Sequence, residues 1–354
     1  MKSVFTRNLM RWNKSSNTRH MPWKGEKDPY KIWLSEIILQ QTRVEQGWKY
    51  YEKFVTSFPT IHHLAKGTDK KIFKLWEGLG YYSRCKNLIQ TAKRISAEYK
   101  GFFPSTYEEI KELKGVGPYT ASAIASFAFN ATKAVVDGNV QRVIARYFGI
   151  ATPVDTREGK RLYNELAYEL LDKRHPAIYN QAIMDFGATI CKPQNPLCDQ
   201  CVQRKDCVAL QVNLVHTLPV KEKAFQKKNR WLYYFIIETE QKVYIRKRIE
   251  KDIWQNLHEF VLFEADGPVN TPFYEHEFLK KLFKGQFYEV NSISKLYKQQ
   301  LTHRNIHGQF IQVSVKKAPR SLSSHQLICK ANLKQYAFPK LINKYMEEKS
   351  SFFQ

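Results

Sequence analysis

The sequence predicts two folded regions of different class, a mainly α-helical N-terminal region and a C-terminal α+β domain, joined by a basic linker. Three observations carry that reading. Apolar residues at helical spacing, with caps and prolines at helix starts, recur as far as residue 215. Residues 216–229 then combine Pro219 with Lys221, Lys223, Lys227 and Lys228 and little apolar content. From residue 230 strand-like runs replace the helical pattern. At 354 residues the chain is long enough for two cores. Its 57 Lys and Arg against 33 Asp and Glu leave a formal charge of +24, which points to a polyanionic partner, nucleic acid first. No apolar run reaches spanning length, so a membrane is not expected as partner. The basic, polar stretch 1–19 lacks the hydrophobic core of a secretory signal.

The first strong helix begins at Asp28-Pro29, a cap followed by proline in the first turn. In Ile32-Trp33-Leu34-Ser35-Glu36-Ile37-Ile38-Leu39 apolar residues face nearly every direction, so the helix is expected to be buried. Glu36 is the single charge of that run and falls on a face expected to be dry. Such a carboxyl group has a raised pKa and can act as a general acid near neutral pH; a buried Glu paired with an Arg would give the same pattern. Gln40-Gln41-Thr42-Arg43 closes the helix with polar groups. Further on, Gly78-Leu79-Gly80-Tyr81-Tyr82-Ser83-Arg84 places what is expected to be an exposed aromatic pair on a glycine loop. A turn with both rings folded into the core is the alternative. His62-His63 has no partner at ligand spacing and is expected at the surface.

Residues 106–146 form the centre of the helical region. Thr106 and Glu109 make a capping box. Leu113-Lys114-Gly115-Val116-Gly117-Pro118 follows as a tight turn, whose two glycines, Gly115 and Gly117, are expected to take conformations closed to other residues. Pro118 then opens an Ala- and Ser-rich helix to about Asn130. This is a helix-hairpin-helix pattern: backbone N–H groups beside a helix start suit a DNA phosphate without reading base sequence. An ordinary helical hairpin carries the same glycines. Beyond it, Asp137 in Val136-Asp137-Gly138-Asn139-Val140 is placed to cap a helix built on Val140, Val143, Ile144 and Tyr147. A cap uses one carboxylate oxygen and leaves the other for chemistry.

Four of the six cysteines, Cys191, Cys198, Cys201 and Cys207, follow with gaps of six, two and five residues. Four thiolates so close suit a 4Fe–4S cluster in a reducing compartment better than a disulfide framework. A zinc site usually shows two close pairs, and this run has one. Lys192, Arg204 and Lys205 surround the loop and suggest phosphate contact. After the linker, residues 231–238, 243–248, 259–264 and 309–315 read as strands, and 273–284 and 338–347 as helices. No internal repeat is present.

Taken together, Pro22-Trp23-Lys24, Trp33-Leu34-Ser35-Glu36, Leu39-Gln40-Gln41-Thr42, the Gly78–Arg84 loop, the hairpin, Val136–Val140 and the 6-2-5 cysteine spacing resemble one group. It is the MutY-type family of adenine DNA glycosylases, in the helix-hairpin-helix, endonuclease III-like superfamily, and the likeness covers about residues 5–215. The resemblance implies two helical subdomains over residues 1–215, including the cluster loop 191–207, then the linker 216–229. Residues 230–350 are similar in arrangement to a Nudix-like domain that inspects 8-oxoguanine. The acidic Nudix catalytic box is absent, so pyrophosphatase activity is not expected.

By the same resemblance, the substrate is duplex DNA carrying adenine opposite 8-oxoguanine or guanine, and the adenosine is flipped out for base excision. Glu36 matches the general acid that protonates N7. Asp137 matches the carboxylate that stabilises or captures the sugar cation, with Asn139 orienting groups beside it. Tyr119 stands where lyase-competent relatives have lysine, which implies a monofunctional glycosylase. Trp23, Lys24 and Gln181 match positions around the adenine, and Gln41 and Tyr81 match residues that wedge the duplex. Thr42, Gly115 and Gly117 fall in DNA-contacting runs. The Phe-Ser-His loop that probes 8-oxoguanine corresponds to Leu301-Thr302-His303, which keeps the hydroxyl and imidazole but not the aromatic. A cytoplasmic, bacterial-type monomer that joins the nucleoid when on DNA is expected. Two rival readings remain at this level: an endonuclease III-like glycosylase/lyase for oxidised pyrimidines, and a non-catalytic iron–sulfur DNA-binding protein.

Overall fold

The structure, a computed structural model, describes residues 2–222, 227–269, 272–317 and 319–353. Lys223 of the expected linker lies outside the described residues. The chain divides into two compact units: Met1–Lys66 with Asn87–Ala224, and Gly67–Lys86 with Phe225–Gln354. The boundary within the helical stretch falls inside the helix Tyr82–Glu98.

The first unit is helical, and its helices start where the sequence places caps. Asp28 accepts from the Tyr30 N–H at the start of the helix Pro29–Leu39. Ile32, Trp33, Leu34, Ile37 and Ile38 of that helix are all buried. It packs on the helix Pro118–Phe129, whose buried Ala121, Ala123, Ala125 and Ser126 let the two axes approach. The capping box of Thr106 and Glu109 forms as expected. The hairpin departs from expectation at one glycine. Gly115 does take a left-handed φ of 80°, and a side chain there would collide with Asn87. Gly117 has φ −89° and ψ 176°, ordinary extended backbone, and serves as the N-cap of the next helix. Its missing side chain leaves open space in front of that helix start.

The helix Lys2–Ser15 was not anticipated. Phe5, Leu9 and Trp12, spaced by four and three residues, form a buried stripe diluted in sequence by basic neighbours. They join Val140, Val143, Ile144 and Tyr147 of the helix Gly138–Phe148 and Ile183 and Phe186 of the helix Pro176–Thr189 in one core. Full burial of such side chains contributes about 1.5–3 kcal/mol each. Gly187 allows the Pro176–Thr189 helix to meet the Gly138–Phe148 helix closely, since a Cβ there would stand 2.7 Å from the Asn139 side chain.

The second unit is built on a mixed sheet of eight strands. They are β1 (Lys228–Thr239), β2 (Lys242–Lys247), β3 (His258–Glu259), β4 (Val261–Ala265), β5 (Tyr288–Ile293), β6 (Tyr297–Gln300), β7 (Arg304–Val315) and β8 (Gln326–Cys329). The long parallel pair β1 and β7 is its spine, with Trp231 opposite His307 and Phe235 opposite Ile311. The remaining pairs are antiparallel. Leu232 to Ile237 are buried without a break, as a strand covered on both faces requires. On one face Phe235, Ile311 and Val313 pack with Leu279 and Phe283 of the helix Glu277–Phe283. On the other, Phe310 stacks on Tyr345 of the helix Lys340–Glu348 at 4.0 Å. The single helix expected over 273–284 is split at His276, whose ring caps Phe278. The segment Gly67–Lys86 is compact with this unit: Glu77 accepts from the Phe338 N–H at 2.8 Å, and Lys74 donates to the Tyr336 carbonyl at 2.9 Å.

Among the described residues no helix is long and apolar enough to cross a membrane.

Candidate active site

A cavity of about 670 Å³ opens in the helical unit, a volume suited to a small organic group. Trp23, Lys24, Glu36, Tyr119, Asp137 and Gln181 line it, and Gln41, Thr42 and Asn139 stand at the same walls. Nine candidates scattered from residue 23 to residue 181 are therefore brought together. Trp23 is buried and meets Tyr51 edge-on at 5.2 Å, which fixes one wall.

Glu36 sits on the buried Pro29–Leu39 helix and is 7% exposed. Its partner is the Tyr119 hydroxyl, from the first turn of the Pro118–Phe129 helix. Burial raises its pKa to about 7; the Tyr119 hydrogen bond opposes that and the nearby Asp137 adds to it. Tyr119 is raised well above its ordinary value by burial and by the same two carboxyl groups, so it stays a neutral hydroxyl. Asp137 caps its helix with one oxygen: Oδ1 accepts the N–H groups of Asn139 and Val140, each at 2.8 Å. The other oxygen was expected free, but Oδ2 accepts from Asn139 Nδ2 at 2.6 Å. The short Asp-Gly-Asn turn brings that amide back onto the carboxylate. Burial raises the pKa of Asp137 as well, against the hydrogen bonds from Val140 and Asn139 that favour its anion.

Behind this pair lies a group of residues that the sequence reading passed over. Arg142 donates to Asn139 Oδ1 at 2.9 Å, to the Gly187 carbonyl at 2.7 Å and, through Nε, to the Cys191 carbonyl at 2.7 Å. Arg146, one turn on, holds the Lys192 carbonyl at 2.7 Å and lies 3.5 Å from Cys191 Sγ. Hydrogen bonds thus run unbroken from Asp137 to the start of the cysteine loop. Both arginines leave the helix on the side away from Val140, Val143 and Ile144, where the sequence pattern suggests solvent, yet both are buried.

Cys191, Cys198, Cys201 and Cys207 line one cavity of about 30 Å³ with Ile190, Leu210 and Val215. None is in a disulfide. Burial and the neighbouring thiols push Cys201 up to about 12, so without a bound cation it stays a neutral thiol. Among the described residues no three His, Cys, Asp or Glu side chains stand at the spacing of a single metal ion. Four free thiols lining one small, otherwise largely apolar cavity are a donor set of the kind that thiolate-bound clusters use.

The remaining candidates lie outside the cavity. Gly115 and Gly117 form the hairpin turn described above. Tyr81 is 40% exposed, but Tyr82 is buried, so the expected exposed pair is a single ring. Tyr82 stacks on Phe73, and its hydroxyl accepts the Gly78 N–H at 3.1 Å. Gln41 and Tyr81 each hold a left-handed φ, 57° and 49°, unusual outside glycine. In the second unit Thr302 and His303 are exposed in the turn between β6 and β7, and the Thr302 and Tyr81 hydroxyls share a hydrogen bond.

Asp185 was also missed. It is fully buried on the Pro176–Thr189 helix, one turn beyond Gln181, and binds Lys24, Arg19, Asn17 and Gln181.

Comparison with known proteins agrees with this geometry. Residues 34–167 match the family model of the HhH-GPD superfamily base excision DNA repair protein, and residues 233–348 match that of the NUDIX domain. An adenine DNA glycosylase of Buchnera aphidicola subsp. Schizaphis graminum is 36% identical over 267 residues, 74% of this chain and 76% of that protein. The mouse adenine DNA glycosylase is 40% identical over 219 residues, 59% of this chain and 42% of its own length. Among solved structures, a thermostable thymine-DNA glycosylase is 31% identical and superposes with a TM-score of 0.55, covering 60% of this chain and 97% of its own. A non-covalent endonuclease III–DNA complex, 20% identical with a TM-score of 0.52 over 60% of this chain and 98% of its own, shares the fold. With a carboxyl pair in a helical cavity, a hairpin beside it and this degree of identity over most of the chain, the protein belongs to the adenine DNA glycosylase family of the helix-hairpin-helix superfamily.

Proposed function

We propose that the protein excises adenine mispaired with 8-oxoguanine or guanine from duplex DNA, acting as a monomer in the cytoplasm. The observation that carries this is one cavity that holds a protonatable buried Glu36 and a hydrogen-bonded Asp137 with Tyr119 between helices. An adenosine flipped into it is protonated at N7 by Glu36, and the base becomes a neutral leaving group. Asp137, as the anion held by Asn139 and two backbone N–H groups, stabilises the sugar cation as the glycosidic bond breaks. Asn139 keeps that carboxylate oriented. Tyr119 offers no amine, so no Schiff base with the sugar forms at this position and the enzyme is a monofunctional hydrolase. Trp23, Lys24 and Gln181 enclose the base.

The hairpin at Gly115 and Gly117 binds phosphate through backbone N–H groups, with Gln41, Thr42 and Tyr81 contacting the opened duplex. Cys191, Cys198, Cys201 and Cys207 hold a 4Fe–4S cluster. When bound, the cluster orders the basic loop with Lys192, Arg204 and Lys205; the reaction itself uses the carboxyl groups. The C-terminal unit reads 8-oxoguanine through Thr302 and His303. Base release from duplexes with A:8-oxoguanine, A:G and thymine glycol tests this. Release of adenine from the first two alone is expected; cleavage at thymine glycol with strand scission would overturn it.

A further inference from the structure

The helix Pro176–Thr189 carries one charged residue, Asp185, and buries it completely. A buried carboxylate is costly unless every oxygen is satisfied, and here the satisfaction is complete. Arg19 Nη1 and Gln181 Nε2 donate to Oδ1 at 3.0 and 2.8 Å, and Lys24 Nζ and Asn17 Nδ2 donate to Oδ2, both at 2.9 Å. Three of these donors, Arg19, Lys24 and Gln181, line the candidate adenine cavity, whereas Asp185 does not. Asp185 therefore acts on the cavity only through the residues it holds.

Its effect on Gln181 is specific. A side-chain amide can turn either its oxygen or its nitrogen toward a ligand, and the choice is set by what binds the other end. Asp185, with two cations on it, only accepts, so Gln181 must give it the nitrogen. Gln181 also lines the cavity, so the atom of its amide left to meet a ligand there is Oε1. We infer that Asp185 is a positioning residue that locks Gln181 as a hydrogen-bond acceptor and thereby selects a base with an amino group at its six-position over one with a carbonyl there. Adenine donates from that amino group. Hypoxanthine, of the same size and with the same N7, presents an oxygen that meets Oε1 as a like dipole and cannot pair. This rests on the assignment of the cavity as the adenine site.

The test uses the full chain, with single-turnover release of adenine and of hypoxanthine from otherwise identical duplexes opposite 8-oxoguanine. The wild type should prefer adenine. Asp185→Asn can donate to Gln181 and lets the amide turn over, so the preference should shrink by ~10-fold, the share one directed hydrogen bond supplies. Asp185→Glu keeps an acceptor there and should retain most of the preference even if both rates fall. Equal losses on the two bases, with the ratio unchanged in Asp185→Asn, would overturn the inference. If that variant does not fold, Gln181→Leu, which leaves Asp185 and its cations in place, should lose the preference to a similar extent; an unchanged ratio there overturns it too. Wild type that releases no adenine at all would instead refute the assignment of the cavity.

Discussion

Replacing Glu36 by Gln separates a catalytic acid from a structural residue, because the structure predicts opposite signs for activity and stability. The carboxyl group is held at about pKa 7 against 4.5 for an ordinary glutamate, chiefly by burial. Below pH 4.5 it is protonated both folded and unfolded, and contributes nothing to pH dependence. Between 4.5 and about 7 the unfolded chain loses this proton while the folded chain keeps it, so stability falls as pH rises. At about 1.4 kcal/mol per pH unit, the loss levels off near 3 kcal/mol above pH 7. Gln fits the same space, can still bond to Tyr119 and carries no such penalty. Urea unfolding should therefore find Glu36→Gln close to wild type at acid pH and more stable by up to about 3 kcal/mol at pH 8. Single-turnover adenine release should move the other way, falling by ~10²-fold or more because Gln delivers no proton. Wild-type release should decline above about pH 7 as Glu36 ionises, and fall again at acid pH as Asp137, whose anion the reaction needs, takes up a proton. A variant that loses stability at every pH, or that excises adenine at nearly the wild-type rate, would refute the assignment.

Four further outcomes are expected. Asp137→Asn should bind mispaired duplex at least as tightly as wild type in a gel-shift assay while losing excision, since it removes charge but retains a capping oxygen; weakened binding would count against its role. Borohydride trapping of the wild type should give little covalent adduct, and Tyr119→Lys should gain some; efficient trapping that Tyr119→Phe abolishes would contradict the monofunctional reading. Anaerobically purified protein should contain iron and sulfide in near-equal amounts, whereas stoichiometric zinc without sulfide would exclude the cluster. Thr302→Ala combined with His303→Ala should reduce the preference for A:8-oxoguanine over A:G by about 1–3 kcal/mol per lost hydrogen bond while sparing A:G activity, and an unchanged preference would remove the turn from recognition.

Where local sequence dominates the energetics, the fold was legible. Asp28-Pro29, Thr106 with Glu109, and Asp137 each start a helix as read, because a cap needs only its own neighbours. The run from Trp231 to Glu238 was legible as a strand because aromatic and β-branched residues make up most of it. Strands β5, β6 and β8 escaped notice: Tyr-Lys-Gln-Gln in β6 has almost no apolar content, and its pairing with β7 supplies the order that propensity does not. Tyr81 and Tyr82 show a second limit. Adjacent identical side chains on a glycine loop end up exposed and buried because Phe73 and the Gly78 N–H lie on only one side. Gly117 shows a third: its backbone is ordinary extended and a Cβ there would meet nothing, so neither φ nor packing requires the glycine that the sequence pattern singled out.

The candidate site exposes the deeper reason. Glu36 and Asp185 satisfy one sequence rule, a lone carboxyl group in an apolar helix, yet only Glu36 drew attention. Their chemistry diverges through partners that no window of sequence contains. Asp185 meets Arg19 and Asn17 from 166 and 168 residues away, together with Lys24, and two cations make it an anchor. Glu36 meets a neutral tyrosine hydroxyl, whose hydrogen bond only partly offsets burial, and a second carboxyl group that adds to it, so the carboxyl group keeps its proton near neutral pH. A buried carboxyl group is thus a structural anchor or an acid according to whether the tertiary fold brings it cations. The lone carboxyl group in an apolar helix marks where to look, and the charge of its distant partners decides what it does.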